Sequence, residues 1–203
     1  MNSPSPAPEW LLFDYGMVIS DAPQESDWAR LGRATGLDLR HHEGPYWRSR
    51  LDFDAGRIDA AAYWSSVIGG PVSAELLVQL EELDAAQWSH LNPRTISALE
   101  TLHSRNQRLA LLSNMPAGMA ATYSSEADWV QYFRQLFFSG VLGMAKPDRR
   151  IFDHVLDVLG ARPEHVIFID DNDANIAAAR SLGLQTVHFR PGMDLLSILD
   201  RER

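Results

Sequence analysis

The sequence contains no cysteine, and this absence excludes several kinds of chemistry at once. Without thiols there is no disulfide framework, no thiolate zinc site and no cysteine nucleophile. The chain also lacks a run of about eighteen apolar residues, the length that a membrane-spanning helix needs. Positive charge is scarce as well, since the formal net charge is −9 at pH 7. A surface of this sign repels phosphate backbones, so we expect neither a nucleic-acid nor a membrane partner.

The chain is nevertheless large and apolar enough to fold around a core of its own. It has 203 residues, of which 45% are hydrophobic. A chain of this size buries enough surface to be stable without disulfides or structural metals. The opening MNSPSPAPEW has no basic residue and no apolar signal segment. We therefore expect a short flexible lead and a cytoplasmic protein.

Three short apolar runs each end in polar residues: LLFD (11–14), LALLSN (109–114) and VIFIDD (166–171). Continuous apolar runs of this length are typical of strands that are buried on both faces. A further apolar run at 186–189 suggests another strand. Helical patterns separate these runs, and strands that alternate with helices indicate a parallel sheet. The sequence therefore predicts an α/β fold, with a Rossmann-like parallel sheet and helices on both of its faces.

Two of the predicted helices have well-defined features. One has an apolar face that is expected to consist of Ile151, Val155, Val158 and Leu159, which follow helical spacing. The other begins near Ala174 and stops at Gly183. We expect Asp173 to be its N-cap residue, since a carboxylate accepts hydrogen bonds from the free backbone N–H groups there.

Residues 21–92 differ from the rest of the chain. They contain no convincing buried strand, but they show helical segments that glycine and proline separate. The sequence thus predicts a sheet domain made of residues 1–20 and 93–203, with residues 21–92 as a helical insertion. We expect the aromatic residues of the insertion to form its core and Arg50 to lie on a solvated helix face, although Arg50 is also its best candidate for a substrate contact. These aromatic residues are Tyr46, Trp47, Tyr63 and Trp64.

Polar side chains follow the apolar runs, at the sheet edge where parallel strands end and where ligands bind in such folds. These residues are Asp14, Ser113, Asn114, Asp170 and Asp171, and Lys146 joins them from the segment GMAKPD. Two carboxylates about 4 Å apart repel by roughly 4 kcal/mol at an effective dielectric constant of 20. A cation relieves this repulsion, and a ligand set made only of oxygens favours Mg²⁺. With a metal, a lysine and a hydroxyl around it, Asp14 could attack a phosphoryl group as a nucleophile.

These segments resemble the four motifs of the haloacid dehalogenase (HAD) superfamily of hydrolases: FD, LLSN, the lysine of KP, and IDDNDAN. They occur in that family's order, between residue 10 and about residue 190. The insertion lies where that family has its helical C1 cap. GRIDAAAYW (56–64) resembles cap segments of the branch whose first motif reads FDxGxV, which includes bacterial sugar-phosphate phosphatases. The resemblance implies a Mg²⁺-dependent phosphatase that hydrolyses a small phosphorylated metabolite through an aspartyl-phosphate.

The resemblance also implies a role for individual residues at the metal and the phosphoryl group. Asp14 would be the nucleophile and, with Asp171 and the backbone carbonyl of Gly16, a ligand of Mg²⁺. Lys146 would be catalytic and would bind the phosphate.

The same resemblance implies supporting roles around this centre. Ser113 and the backbone of Asn114 would bind the phosphate. Asp170 would hold metal-bound water or orient Lys146, and Asn175 would support the acidic loop.

The sequence departs from the family pattern at Gly16. Most phosphatases of the family have a second aspartate there, which protonates the leaving group and later activates water. Loss of a general acid costs a factor of about 10²–10⁴ in rate, or roughly 3–5 kcal/mol of activation barrier. Water or a residue of the insertion would have to replace it.

Two other functions remain open at the level of sequence. A 2-haloacid dehalogenase would also lack the second aspartate, but such enzymes have tyrosine in place of Gly16 and lack the acid pair Asp170 and Asp171. A binding or regulatory protein with a catalytically weakened HAD fold is the other alternative. The missing acid favours it, whereas the presence of Asp14, Lys146 and Asp171 argues against it. The substrate and the oligomeric state are not determined by these motifs.

Overall fold

The structure is a computed structural model that describes residues 9–201. The flexible lead expected at the N-terminus falls almost wholly in residues 1–8, which lie outside the described residues. Within the described residues, no helix is long and apolar enough to cross a membrane.

The described chain contains a five-stranded parallel sheet with the strand order β3-β2-β1-β4-β5. The strands are β1 (Trp10–Phe13), β2 (Arg108–Ser113), β3 (Gln135–Phe138), β4 (Val166–Asp170) and β5 (Gln185–His188). Strand β1 is central, since Leu11 lies opposite Leu109 on one side and Ile167 on the other. The carboxyl ends of β1, β2 and β4 therefore meet at one edge of the sheet.

Helices connect and cover the strands. Between β1 and β2 lie α1 (Glu25–Thr35), α2 (Pro45–Arg48), α3 (Arg50–Asp54), α4 (Ala60–Ile68), α5 (Ala74–Gln87) and α6 (Pro93–Ser104). After β2 lie α7 (Ala117–Glu126), α8 (Ser139–Leu142), α9 (Arg149–Leu159), α10 (Asp173–Ser181) and α11 (Leu195–Leu199). Two short 3₁₀ helices span Asp128–Tyr132 and Pro163–His165.

Both faces of the sheet are buried, as the apolar runs predicted. Leu11 and Phe13 of β1 pack on one face with Leu99 of α6. Leu12 packs on the opposite face with Phe152 of α9. Alternate residues of a strand point to opposite faces, so every position of β1 can be apolar and buried. Full burial of a leucine or phenylalanine side chain stabilises the fold by about 1.5–3 kcal/mol. The predicted α/β fold is confirmed.

Two details differ from the sequence-based expectations. Strand β3 was not predicted, because it pairs only with β2 at the sheet edge and only its last two residues, Phe137 and Phe138, are buried. In α9, Val158 is 47% exposed, while Phe152 and Leu156 join the buried face instead. At about 100° per residue, Val158 lies roughly 90° from the centre of that face.

Helices α1 to α5 contribute a hydrophobic cluster of their own. Leu31, Phe53 and Leu80 belong to it together with the fully buried rings of Tyr46, Tyr63 and Trp64. The expectation that these rings form a core is thus confirmed, whereas Trp47 is only partly buried and packs at its margin.

Several contacts join the inserted helices to the sheet region, and two of them involve closely packed backbone. Ser20 and Leu91 form an isolated antiparallel bridge. This bridge holds together the two segments at which the insertion begins and ends. Gly56, which follows α3, packs against Gly140 of α8, and a Cβ at Gly56 would lie 2.6 Å from the Gly140 carbonyl oxygen. This second contact leaves no room for a side chain.

We predict that Gly56→Ala destabilises the protein more than Gly69→Ala does. Both glycines have left-handed backbones, with φ of +67° and +78°, and alanine in that conformation costs about 1–2 kcal/mol. Only the Cβ at position 56 collides with another backbone, because Gly69 has nothing within 4 Å. The extra cost should be about 1–3 kcal/mol, measured by urea unfolding. Equal losses in the two variants would contradict the tight Gly56–Gly140 contact.

Candidate active site

The polar residues predicted from the sequence converge at the carboxyl edge of the sheet, around a cavity of about 220 Å³. From the sheet region the cavity is lined by Asp14, Ser113, Asn114, Lys146, Asp171 and Asn175. From the inserted helices it is lined by Trp47, Arg50, Asp54 and Trp88. The cavity therefore lies between the two parts of the molecule.

Three carboxylates form the centre of the site. Asp14, Asp170 and Asp171 each offer an oxygen atom within 4.8 Å of the others. Burial raises the pKa of Asp14 well above its usual range, and the charge of Asp170 raises it further, although Lys146 opposes this shift. Burial, followed by the charge of Asp170, also raises the pKa of Asp171. A divalent cation would relieve this repulsion, and the oxygen-only donors fit Mg²⁺.

Lys146 is the cation that the protein itself supplies. Its Nζ lies 2.7 Å from Asp14 Oδ1 and 2.8 Å from Asp170 Oδ2, and its side chain is 1% exposed. Burial by itself lowers the pKa of a lysine, but the charges of Asp14 and Asp170 outweigh burial, so the pKa of Lys146 is raised. The ammonium group is therefore protonated at neutral pH and can neutralise a bound anion.

Asn114 fixes the backbone of Lys146. Its Nδ2 donates to the Lys146 carbonyl oxygen at 2.9 Å, and the Lys146 N–H donates to Asn114 Oδ1 at 2.9 Å. The motifs suggested only a backbone role for Asn114, so this side-chain role was missed. Ser113, the last residue of β2, is buried and lines the cavity beside it.

Asp170 is held by three groups. Lys146 Nζ donates to Oδ2, Asn175 Nδ2 lies 3.0 Å from Oδ2, and the Asn172 N–H donates to Oδ1 at 2.7 Å. Of the two roles considered for Asp170, the structure shows contacts that orient Lys146. Asn175 supports this acid through its amide group. Asp171 is only partly buried and remains the more accessible carboxylate of the pair.

The N-cap of α10 is Asn172, and the prediction of Asp173 was wrong. Asn172 Oδ1 accepts from the N–H groups of Ala174 at 2.9 Å and Asn175 at 3.3 Å. The contact between the Asn172 N–H and Asp170 holds this residue in extended conformation directly after β4. The helix consequently starts one residue earlier, and Asp173 becomes its first residue.

Nothing in the local geometry requires a glycine at position 16. Its backbone is not among the left-handed glycines. Among the described residues, a Cβ there would meet only Trp88 Cζ3, at an ordinary contact distance of 3.9 Å. The missing acid at this position is therefore not the result of steric exclusion.

Arg50 is buried, and the expectation of a solvated position was wrong. Its Nε lies 2.7 Å from Asp54 Oδ1, and its Nη1 lies 2.9 Å from both oxygens of Asp84. The guanidinium carbon also lies 5.0 Å from the centroid of the Tyr46 ring. Helix α3 is too short to show a periodic buried face, so the sequence could not place Arg50. The Arg50–Asp54 spacing of four residues was the only signal of the pair.

The chain belongs to the haloacid dehalogenase-like hydrolase family, since the model of that family matches residues 20–183. This match begins after Asp14 and includes Ser113, Lys146 and the acid pair of β4. The predicted family resemblance is confirmed, and the protein is a hydrolase.

Characterised relatives include phosphatases. The chain is 27% identical over 198 residues to D-ribitol-5-phosphate phosphatase of Bacteroides thetaiotaomicron, covering 91% of this chain and 93% of that protein. It is 31% identical over 186 residues to drimenol cyclase drtB of Aspergillus calidoustus, covering 88% of this chain. It is 31% identical over 97 residues to the phosphorylated carbohydrates phosphatase of Thermotoga maritima, covering 48% of this chain. The matches span only 33% of the drimenol cyclase and 45% of the Thermotoga protein.

Solved structures share the fold. A HAD family enzyme from Bacteroides thetaiotaomicron, in complex with magnesium and inorganic phosphate, matches with a TM-score of 0.76 at 22% identity, over 95% of this chain and 99% of that chain. L-2-haloacid dehalogenase from Xanthobacter autotrophicus, with chloropropionic acid covalently bound, matches with a TM-score of 0.67 at 16% identity, over 88% of this chain and 76% of that chain. The same fold thus occurs in an enzyme that binds magnesium and phosphate and in an enzyme that binds a haloacid covalently.

We predict that Mg²⁺ raises the melting temperature of the protein and that Asp171→Asn removes most of this effect. A ligand at 100 times its Kd stabilises a folded protein by about 2.7 kcal/mol, and Asp171 is the most accessible of the three acids. Asp173→Asn is the matched control, because that carboxylate is 88% exposed and lies outside the cluster. Thermal melts with and without Mg²⁺ measure the shift. Equal shifts in the two variants would exclude Asp171 as a ligand.

Proposed function

We propose that this hydrolase is a Mg²⁺-dependent phosphatase that acts on a small phosphorylated metabolite, similar to a sugar phosphate, through an aspartyl-phosphate. The observation that carries this proposal is the cluster of Asp14, Asp170 and Asp171, two of which, Asp14 and Asp170, contact the buried ammonium group of Lys146. The similarity to D-ribitol-5-phosphate phosphatase over almost the full length of both proteins supports the choice of substrate class.

In the proposed reaction, Asp14 attacks the phosphorus atom with one carboxylate oxygen. Lys146 pairs with the phosphoryl oxygens, and Ser113 and the Asn114 backbone donate hydrogen bonds to them. Asp170, itself held by Asn175, keeps Lys146 directed at Asp14. Bound Mg²⁺, held by Asp14, Asp171 and the Gly16 carbonyl, would offset the negative charge of the phosphoryl group.

In this proposal residues 21–92 are a cap over a core made of residues 1–20 and 93–203. The separate hydrophobic cluster of α1–α5 and the bridge between Ser20 and Leu91 support this division. The cavity of about 220 Å³ is below the usual range of about 300–1,000 Å³ for pockets that hold drug-sized ligands. It therefore favours a small metabolite over a polymer or a nucleotide-sized ligand.

We predict that Asp14→Asn lowers phosphate release to below about 1% of the wild-type rate, because an amide is a poor nucleophile. The test screens sugar phosphates and other small phosphate esters in the presence of Mg²⁺. Asp21→Asn is the control for the same chemical change, since Asp21 is exposed and lies outside the cavity. Substantial turnover by a folded Asp14→Asn variant would overturn the aspartyl-phosphate mechanism.

A dehalogenase is distinguished from a phosphatase by its product and its metal requirement. We predict phosphate release with Mg²⁺, loss of that activity in chelator, and no chloride release from 2-chloropropionate. Chloride release that persists in chelator, without phosphatase activity, would favour the dehalogenase function. Absence of both activities, with retained Mg²⁺ binding, would favour a binding protein.

A further inference from the structure

The proposed reaction needs a proton donor for the departing alcohol, and among the described residues of the sheet region no carboxylate that lines the cavity is left for this role. Gly16 has no side chain, and Asp170 is fully engaged by Lys146, Asn172 and Asn175. In the proposed function Asp14 is the nucleophile, and Asp171 is a ligand of Mg²⁺. Among the described residues that line the cavity, the remaining carboxylate is Asp54, the last residue of α3.

Asp54 is fixed relative to the phosphate-binding residues. Its backbone carbonyl accepts a short hydrogen bond from Ser139 Oγ. Ser139 Oγ also accepts from the N–H of Met115 at 2.9 Å, and Met115 lies two residues after Ser113. The contact between Gly56 and Gly140 holds the same junction. Asp54 is therefore positioned by the core as well as by its own helix.

The Asp54 carboxylate is oriented but not saturated. Within the described residues its hydrogen bonds involve Oδ1 alone, which accepts from Arg50 Nε at 2.7 Å. The Nη1 of Arg50 is occupied by Asp84. The Asp54 side chain retains 12% exposure, and Asp54 lines the cavity. One carboxylate oxygen thus remains free to contact a ligand.

We propose that Asp54 is the general acid and base of this enzyme, in place of the carboxylate that position 16 lacks. The inference rests on the proposed phosphatase function. In the first step a bond forms between Asp14 and phosphorus, the bond from phosphorus to the alcohol oxygen breaks, and the Asp54 proton passes to that oxygen. In the second step water attacks phosphorus, Asp54 takes the water proton, and the bond to Asp14 breaks. Phosphate leaves, and one water has been consumed.

The protonation of Asp54 suits this role. Burial raises its pKa to about 6, against the opposing effect of Arg50 and with a contribution from the charge of Asp84. A general acid works best when its pKa lies near the working pH. Arg50 on α3 and Asp84 on α5 are its charged neighbours among the inserted helices, and Asp14, Lys146 and Asp171 face the same cavity from the core.

The test compares alkyl phosphates with p-nitrophenyl phosphate, whose phenolate leaves without a proton. We predict that Asp54→Asn lowers kcat/KM for alkyl phosphates by a factor of about 10²–10⁴ and lowers it for the aryl phosphate less than about tenfold. The parameter kcat/KM is used because it excludes hydrolysis of the aspartyl-phosphate, which both substrates share. In the wild type, the ratio of alkyl to aryl kcat/KM should fall as the pH rises above about 6, and Asp54→Asn should abolish this dependence.

Two control variants separate chemistry from structure. Asp52→Asn, on the same helix, should change neither substrate class, because Asp52 is 53% exposed and pairs with Arg57. Asp84→Asn removes the other partner of Arg50, and Asp84 does not line the cavity. Because the charge of Asp84 contributes to the raised pKa of Asp54, this variant should move the fall of the alkyl to aryl ratio to lower pH. Below that transition, any effect should be equal for both substrate classes. When Gly16→Asp is added to the Asp54→Asn variant, the alkyl to aryl ratio should return toward the wild-type value, since position 16 has room for a side chain.

The outcomes distinguish this inference from the proposed function. An unchanged alkyl to aryl ratio in Asp54→Asn, with Asp14→Asn inactive, would overturn the role of Asp54 and leave the phosphatase intact. If that unchanged ratio comes with an equal fall of kcat/KM for both substrate classes, the role of Asp54 is structural. If Asp54→Asn fails to fold, a wild-type ratio that stays constant from about pH 5 to pH 8 overturns the inference by itself. No phosphate release by the wild type would instead refute the proposed function.

Discussion

The buried ion cluster around Lys146 is the interaction on which the arrangement of the site depends. An ammonium group with 1% side-chain exposure is tolerated only when opposite charges surround it, and removing one partner of a buried pair typically costs about 3–5 kcal/mol. Asp14 and Asp170 supply those charges from the ends of adjacent strands. Asn114 and Asn175 then fix the lysine and Asp170 by hydrogen bonds. Asp14, Lys146 and the ends of two strands are thereby held in one geometry.

The same cluster carries an excess of negative charge. Lys146 balances one carboxylate. Burial is the main cause of the raised pKa values of Asp14 and Asp171, and the charge of Asp170 raises both further. A bound cation would neutralise this excess charge, and it would also attract an anionic ligand. The fold alone does not distinguish between phosphate and haloacid chemistry, since enzymes of both kinds share it. In the proposed function, the acid pair Asp170 and Asp171 provides that distinction.

In the proposed mechanism the catalytic groups are divided between two parts of the molecule. The nucleophile and the cation lie at the sheet edge, whereas the proton donor lies on an inserted helix. Ser139 and Gly140 connect the two parts, because they contact both the turn that follows β2 and the end of α3. A substrate in the cavity would therefore contact groups from both parts of the molecule.

The sequence by itself determined the sheet and its group of polar residues. Asp14, Ser113 and Asp170 each end or directly follow an apolar run, and in a parallel sheet such positions must converge. Sequence patterns did not reveal strand β3, because an edge strand of four residues needs few apolar side chains. The N-cap of α10 was misplaced by one residue, because a contact with Asp170 decides it.

Only the tertiary structure decided the environment of Arg50, Asp54 and Asp84. Arg50 and Asp84 are 34 residues apart in the chain, and no periodicity relates them. Their contact depends on how α3 packs against α5, and the direction of Asp54 depends on how α3 meets Ser139. Local sequence patterns predict which residues of one helix or strand are buried, but they do not predict which helices and strands pack against each other. The part of the site that lies on one sheet edge was therefore predictable, and the part built between separate elements was not.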